Sequence, residues 1–207
     1  MPGTNFIRSM RGLLLMPVLL CACITPEVLL PKSAEVPAGV DFSGTWQMRP
    51  QSRRSQPGVN EAIDRTDGVD NQTIMREMIN RQKNAQDGSR RSSGSKAGLV
   101  GVFLETGDSL KIDQTLHGIF ISFDRAVVEE FRFGENRPIS IGQADAIRVS
   151  GWEGNSYVIE TLGEKGMKLT DRYSLAADKQ SMTRHITLRS KDKQEVTIVQ
   201  EFDRHGD

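Results

Sequence analysis

Met167-Lys168-Leu169-Thr170-Asp171-Arg172-Tyr173-Ser174-Leu175, followed after Asp178-Lys179-Gln180 by Met182-Thr183-Arg184-His185-Ile186-Thr187-Leu188, is the stretch whose reading decides the fold. Met167, Leu169, Tyr173 and Leu175 share one parity, as do Met182, Ile186 and Leu188. A side-chain period of two puts each set on one face of an extended strand. The short polar break between them marks an antiparallel hairpin. With the turn at Asp178 to Gln180, Leu175 faces Met182, Tyr173 faces Arg184 and Asp171 faces Ile186. A second turn at Lys191-Asp192-Lys193 sets Met182 against Phe202, Arg184 against Gln200 and Ile186 against Ile198.

Working outward, the same period runs from about Ser109 to Arg204. It predicts strands around Leu110 and Ile112, Ile119 to Phe123, Val127 to Phe133, Ile147 and Val149, and Tyr157 to Leu162, besides the two above and one around Val196 to Phe202. Turn-like breaks separate them at Leu116-His117-Gly118, Glu153-Gly154-Asn155 and Gly163 to Gly166. Upstream, Phe42, Gly44, Trp46 and Met48 alternate with Ser43, Thr45 and Gln47, which adds a first strand. Short links between consecutive strands imply hairpins, and a long meander with one apolar face must curl to bury it. The expectation is all-β: an antiparallel up-and-down meander of about 8–9 strands closing into a barrel or half-barrel. The strand at Tyr157 is ambiguous, because Tyr157 and Ile159 compete with Val158 and Leu162 for the inner face.

Between the first strand and the meander lies a polar insertion of about residues 50–97. Residues 50–70 read as loop. Ile74, Met75, Met78 and Ile79, behind candidate caps at Asp70 or Asn71, predict one short amphipathic helix over 71–82. From Arg81 to Lys96 the chain is basic and Ser/Gly-rich, the composition of a solvated loop. Contact with an anionic polymer or lipid headgroups is its sharper reading. No aromatic residues are interleaved for stacking on bases, so nucleic acid is not expected as a partner.

The N-terminus carries an address. Arg8 and Arg11 precede the apolar run Leu13 to Leu20, which is far shorter than the ~20 residues that span a bilayer. Leu20-Cys21-Ala22-Cys23 resembles the bacterial lipobox, which implies that residues 1–22 are a lipoprotein signal and Cys23 the acylated residue; the alternative is a plain secretory signal cleaved nearby. Cys21 fits worse, since Leu20 precedes it. Ile24 follows Cys23, and in the sorting logic this resembles, the lack of an Asp there points to the outer membrane, facing the periplasm. Residues 23–40, with Pro26, Pro31 and Pro37, read as the lipidated start and an extended tether, and residues 41–207 as a single domain. Cleavage leaves 185 residues with 25 basic against 27 acidic side chains. Such a balance gives no global field for polyanions.

The first strand, Phe42-Ser43-Gly44-Thr45-Trp46, resembles the Gly-x-Trp opening of lipocalin-like barrels, although Gln47-Met48-Arg49 replaces the classical continuation. The resemblance implies that Trp46 closes the base of the barrel; without it Trp46 is simply a core aromatic. The fuller layout is also similar to a group of bacterial lipoproteins of no assigned activity: a Ser-Gly-Thr-Trp strand, a low-complexity insert, then a meander with Gly151-Trp152-Glu153-Gly154 and Leu175 to Thr183. That similarity implies a fold and no chemistry.

Catalytic constellations are not found. His117, His185 and His205 lack metal-ligand spacing, no phosphate loop or nucleophile elbow occurs, and the adjacent Glu129 and Glu130 point to opposite faces of a strand. Neither enzyme activity, a cofactor nor a metal is expected. The one notable group is Asp171, Tyr173, Arg184 and Gln200, placed by register on the apolar face, with Glu160 as a further candidate. A guanidinium there must be paired. It either satisfies itself as an internal ion pair, meets water at an open rim, or orients the polar head of an amphiphile. Two functions follow from different classes: a solid envelope module that contacts a protein partner, and a barrel that binds a small amphiphilic or hydrophobic ligand.

Overall fold

The computed structural model describes residues 27–54 and 103–206, except 126, 142–143, 164–165, 191–192 and 194. The helix expected over 71–82 and the basic insert lie outside the described residues, as do Cys23 and the signal. Ten strands and one short helix follow in chain order: β1 (Gly44–Met48), α1 (Pro50–Arg54), β2 (Ser109–Gln114), β3 (Gly118–Phe123), β4 (Val127–Arg132), β5 (Glu135–Ile141), β6 (Ala144–Glu153), β7 (Ser156–Gly163), β8 (Lys168–Leu175), β9 (Ser181–Arg189) and β10 (Glu195–His205). They form one antiparallel sheet in the order β4-β3-β2-β1-β10-β9-β8-β7-β6-β5. The sheet curls into a nearly closed barrel, with β4 and β5 as the two edges of a seam across which β4 packs on β6.

The meander therefore has one more strand than the alternation suggests. β5 is the addition, because its Asn136, Arg137, Pro138 and Ser140 are exposed and only Glu135 and Ile139 turn inward. Pro138 cannot donate to a ladder, and the seam edge is where a strand tolerates that. Short turns serve as expected: Lys179 at φ 57° and Gly154 at φ 57° reverse the chain between β8 and β9 and between β6 and β7. The short helix after β1 is α1, where the sequence reads as loop. Its Ser52 hydroxyl accepts the backbone N–H of Glu201 at 2.9 Å.

The hairpin ends define two poles. At the lower pole, reached by the turns β2–β3, β4–β5, β6–β7 and β8–β9, lies a large aromatic cluster that includes Phe42, Trp46, Phe133, Trp152 and Tyr157. Trp46 is fully buried there; its indole N–H donates to Phe42 O at 2.9 Å, and the Arg204 guanidinium stacks 4.3 Å from its ring centre. At the upper pole a second cluster forms around Ile186, Leu188, Leu169 and Ile139, capped by Phe103 from the segment that leads into β2.

Residues 27–40 belong to the stretch that the sequence reads as an extended tether ahead of a domain beginning near Asp41. They form a strap across the outer wall. Glu27 pairs with Arg189 and Lys168 at the upper end of β8 and β9, whereas Lys32 pairs with Glu153 and, at 3.0 Å, with Glu160 further down. Ser33 and Trp152 exchange backbone hydrogen bonds, and Leu29 is buried. Gly151, at φ 155°, lets the strap lie close, since a Cβ there would stand 2.4 Å from Ser33 O. Val36 and Val40 then tuck against the aromatic cluster beneath the barrel.

Candidate functional site

Between the two apolar clusters the barrel carries a polar girdle, built mostly by β4, β6, β8 and β9. On β8 and β9 a clean alternation of buried and half-buried residues points Asp171, Tyr173 and Arg184 inward, and β10 adds Gln200. The registers Tyr173 to Arg184, Asp171 to Ile186 and Arg184 to Gln200 are those the alternation predicts. These four residues are brought together. Arg184 Nε donates to both Asp171 oxygens at 2.9 and 3.1 Å, and Nη2 donates to Asp171 Oδ2 at 2.6 Å. Its remaining donors reach Glu105 O at 2.9 Å and Gln200 Oε1 at 3.4 Å. Tyr173 gives its hydroxyl proton to Asp171 Oδ2 at 3.0 Å.

The guanidinium also lies about 5 Å over the rings of Phe123 (5.2 Å) and Tyr173 (5.3 Å), an arrangement that favours a desolvated cation. Burial pulls the Arg184 guanidinium down, but the Asp171 carboxylate beside it prevails and holds the group above its ordinary range. Burial likewise pushes the Tyr173 hydroxyl well up, so it acts as a donor. Every strong donor of Arg184 is thus occupied within the protein. Glu160 does not join this group: it is on the outer face, held by Lys32 and, at 2.6 Å, by Lys168.

Sequence reasoning missed a second buried arginine. The alternation Ile147, Val149 suggests these two face inward, but Arg148 and Ser150 do, while Ile147 is exposed and Val149 is buried beneath the strap. Arg148 crosses behind the seam. Its Nε donates to Thr161 Oγ1 at 3.3 Å, and its guanidinium lies over Phe131 of β4 at 5.1 Å and Phe103 at 5.8 Å. No carboxylate approaches it within ion-pair distance among the described residues. Burial lowers Arg148 from its ordinary range, and the nearby charge of Glu129 only partly offsets this. Glu129 faces inward from β4, opposite in direction to exposed Glu130, and burial raises its carboxyl.

Arg148, Glu129, Phe103, Asp171 and Arg184 line a cavity of about 10 Å³. That is the size of a single water. Around it, Trp46, Tyr157, Tyr173 and Phe202 are essentially without exposure. Among the described residues no three His, Cys, Asp or Glu side chains gather to hold a metal. His117 lies in an exposed turn, His185 on the outward parity of β9, and His205 at the exposed end of β10.

No family model matches the chain, and no curated protein does. Among solved structures, the secretory abundant heat soluble protein 4 of Ramazzottius varieornatus is similar over 81% of this chain and 97% of its own, at 12% identity and a TM-score of 0.44. A second secretory abundant heat soluble protein of that organism matches over 79% and 95%, at 8% identity and a TM-score of 0.44. A mutant of the REP1-NXSQ fatty acid transporter matches over 80% and 98%, at 15% identity and a TM-score of 0.42.

Proposed function

We propose that the protein is a non-catalytic module of the bacterial cell envelope, held at the outer membrane by acyl chains on Cys23, which works through its outer surface. The observation that carries this reading is the self-contained pairing of Arg184. Arg184, the residue best suited by sequence to hold a headgroup, spends its donors on Asp171, Glu105 and Gln200, and the cavity it lines has about the volume of one water. A cation satisfied in this way supports a structural role.

One observation favours a second reading, the binding of a small amphiphile with an anionic head. Arg148 is a buried cation with one side-chain hydrogen bond, at the edge of the cavity and directly beneath Phe103. Displacement of Phe103 from the upper pole would open a path to it. Lipid extraction and mass spectrometry of the purified protein, started at Glu27 to keep the strap, separate the two. The envelope-module reading expects no amphiphile near one equivalent. A stoichiometric amphiphile lost on Arg148→Met would overturn it in favour of the second.

A further inference from the structure

We infer that the upper pole of the barrel is a membrane-contact surface, and that the anchored protein rests on the bilayer by this end. The inference rests on the reading of Cys23 as the acylated residue. Glu27, only four residues beyond Cys23, is already fixed to the wall through Arg189 and Lys168, at the last residue of β9 and the first of β8. Four residues span at most ~14 Å even when fully extended. The acyl chains therefore enter the bilayer within ~14 Å of that point. A free tether would let the barrel tumble at a distance; a strap pinned at Glu27 does not.

The distribution of exposed apolar side chains agrees. Val28 is 77% exposed immediately beside the pin. Val127 and Val128 (38% and 65%) stand at the β3–β4 turn, Ile141 (45%) stands at the β5–β6 turn, and Ile147 (41%) lies on the outer wall in the upper half of β6. The registers put both turns at the same pole as Lys168 and Arg189: β3 runs up to Phe123 opposite Val127, and Ile147 opposes Leu162, next to the end of β7. The other large apolar side chains exposed among the described residues are Leu116 at the lower pole and, on the wall between the poles, Leu30 of the strap and Val199 of β10. The upper half thus carries Val28, Val127, Val128, Ile141 and Ile147, a bias that fits a non-aqueous neighbour, and the acylated N-terminus identifies that neighbour as the lipid surface.

Cys23 is acylated and Cys21 leaves with the signal, so the mature chain offers no competing thiol for labelling. A single cysteine at Val128 or Ile141, or at Leu116 or Asn155 for the lower pole, can carry a fluorophore on the full acylated chain. The chain is reconstituted in phosphatidylethanolamine/phosphatidylglycerol vesicles containing a nitroxide-labelled lipid. The expected result is several-fold stronger quenching at 128 and 141 than at 116 and 155. Val28→Cys gives a third upper label if either hairpin variant melts early. Vesicle-bound protein with equal quenching at both poles, or none at either, overturns the seating and leaves the anchor standing. Protein that stays out of the vesicle fraction overturns the anchor and the seating together.

Discussion

The β8–β9 and β6–β7 hairpins each bury one arginine, and they do so in opposite circumstances. The outer face of β8–β9 is polar and half-buried, and its arginine, Arg184, meets a carboxylate, a tyrosine ring, a backbone carbonyl and an amide. On β6–β7 the outer face is covered by the strap, and its arginine, Arg148, meets two aromatic rings and a threonine. The first guanidinium is a cross-link within the wall. The second is a cation put into a low-dielectric interior with little to offset its lost hydration. Burial alone does not decide what a charge does; its partners do.

Removing the strap should do the greatest damage, and most of it to the β6–β7 hairpin. Leu29, Val149 and Val158 are at most 3% exposed, and at ~1.5–3 kcal/mol for each fully buried side chain their exposure would cost on the order of 5 kcal/mol. A chain begun at Asp41 should therefore melt far below one begun at Glu27. Amide exchange should rise first in β6 and β7. Equal exchange in β8 and β9 would show that the strap supports the whole barrel.

Asp171→Ala comes next, at ~3–5 kcal/mol, because it leaves Arg184 buried without its counter-ion and a guanidinium cannot shed its proton. Arg184→Met should cost less, since it removes the charge and keeps the volume, and Asp171 keeps Tyr173 as a donor. Urea denaturation at neutral pH reads the order. A reversed order would mean that Arg184 serves chiefly as packing.

Glu129→Gln is a smaller effect of opposite sign. Burial holds this carboxyl above its ordinary value in the folded protein, so Glu129 favours folding below the usual carboxylate range and loses that advantage as pH rises through its raised value. At pH 7 the amide should therefore be the more stable. The difference should shrink toward pH 4. A loss of stability at pH 7 would make Glu129 a true partner of Arg148.

The same contrast explains what the sequence made legible. On β8, β9 and β10 one face is wet, so a clean period of two fixes parity, and parity with two short turns placed Asp171, Tyr173, Arg184 and Gln200 together. On β6 and β7 the strap makes both faces apolar: Tyr157, Val158 and Ile159 are all buried, and the alternation carries no sign. Ile147 and Val149 then look inward and Arg148 is lost. The strap itself was illegible for a related reason, since its prolines describe an extended chain and not the surface it lies on. Only Gly151, in a strand and in need of a positive φ, hinted at a close neighbour.

Arg148→Met measured against Asp171→Ala is the most direct test of a self-paired barrel. Both variants would be unfolded in urea alongside the parent, with mass spectrometry on each for retained lipid. The self-paired barrel predicts that Arg148→Met is at least as stable as the parent, because it exchanges a poorly paired buried cation for an apolar side chain, while Asp171→Ala falls by ~3–5 kcal/mol and no lipid is present in any sample. An Arg148→Met variant as damaged as Asp171→Ala, or a parent that carries an amphiphile which Arg148→Met lacks, would contradict it.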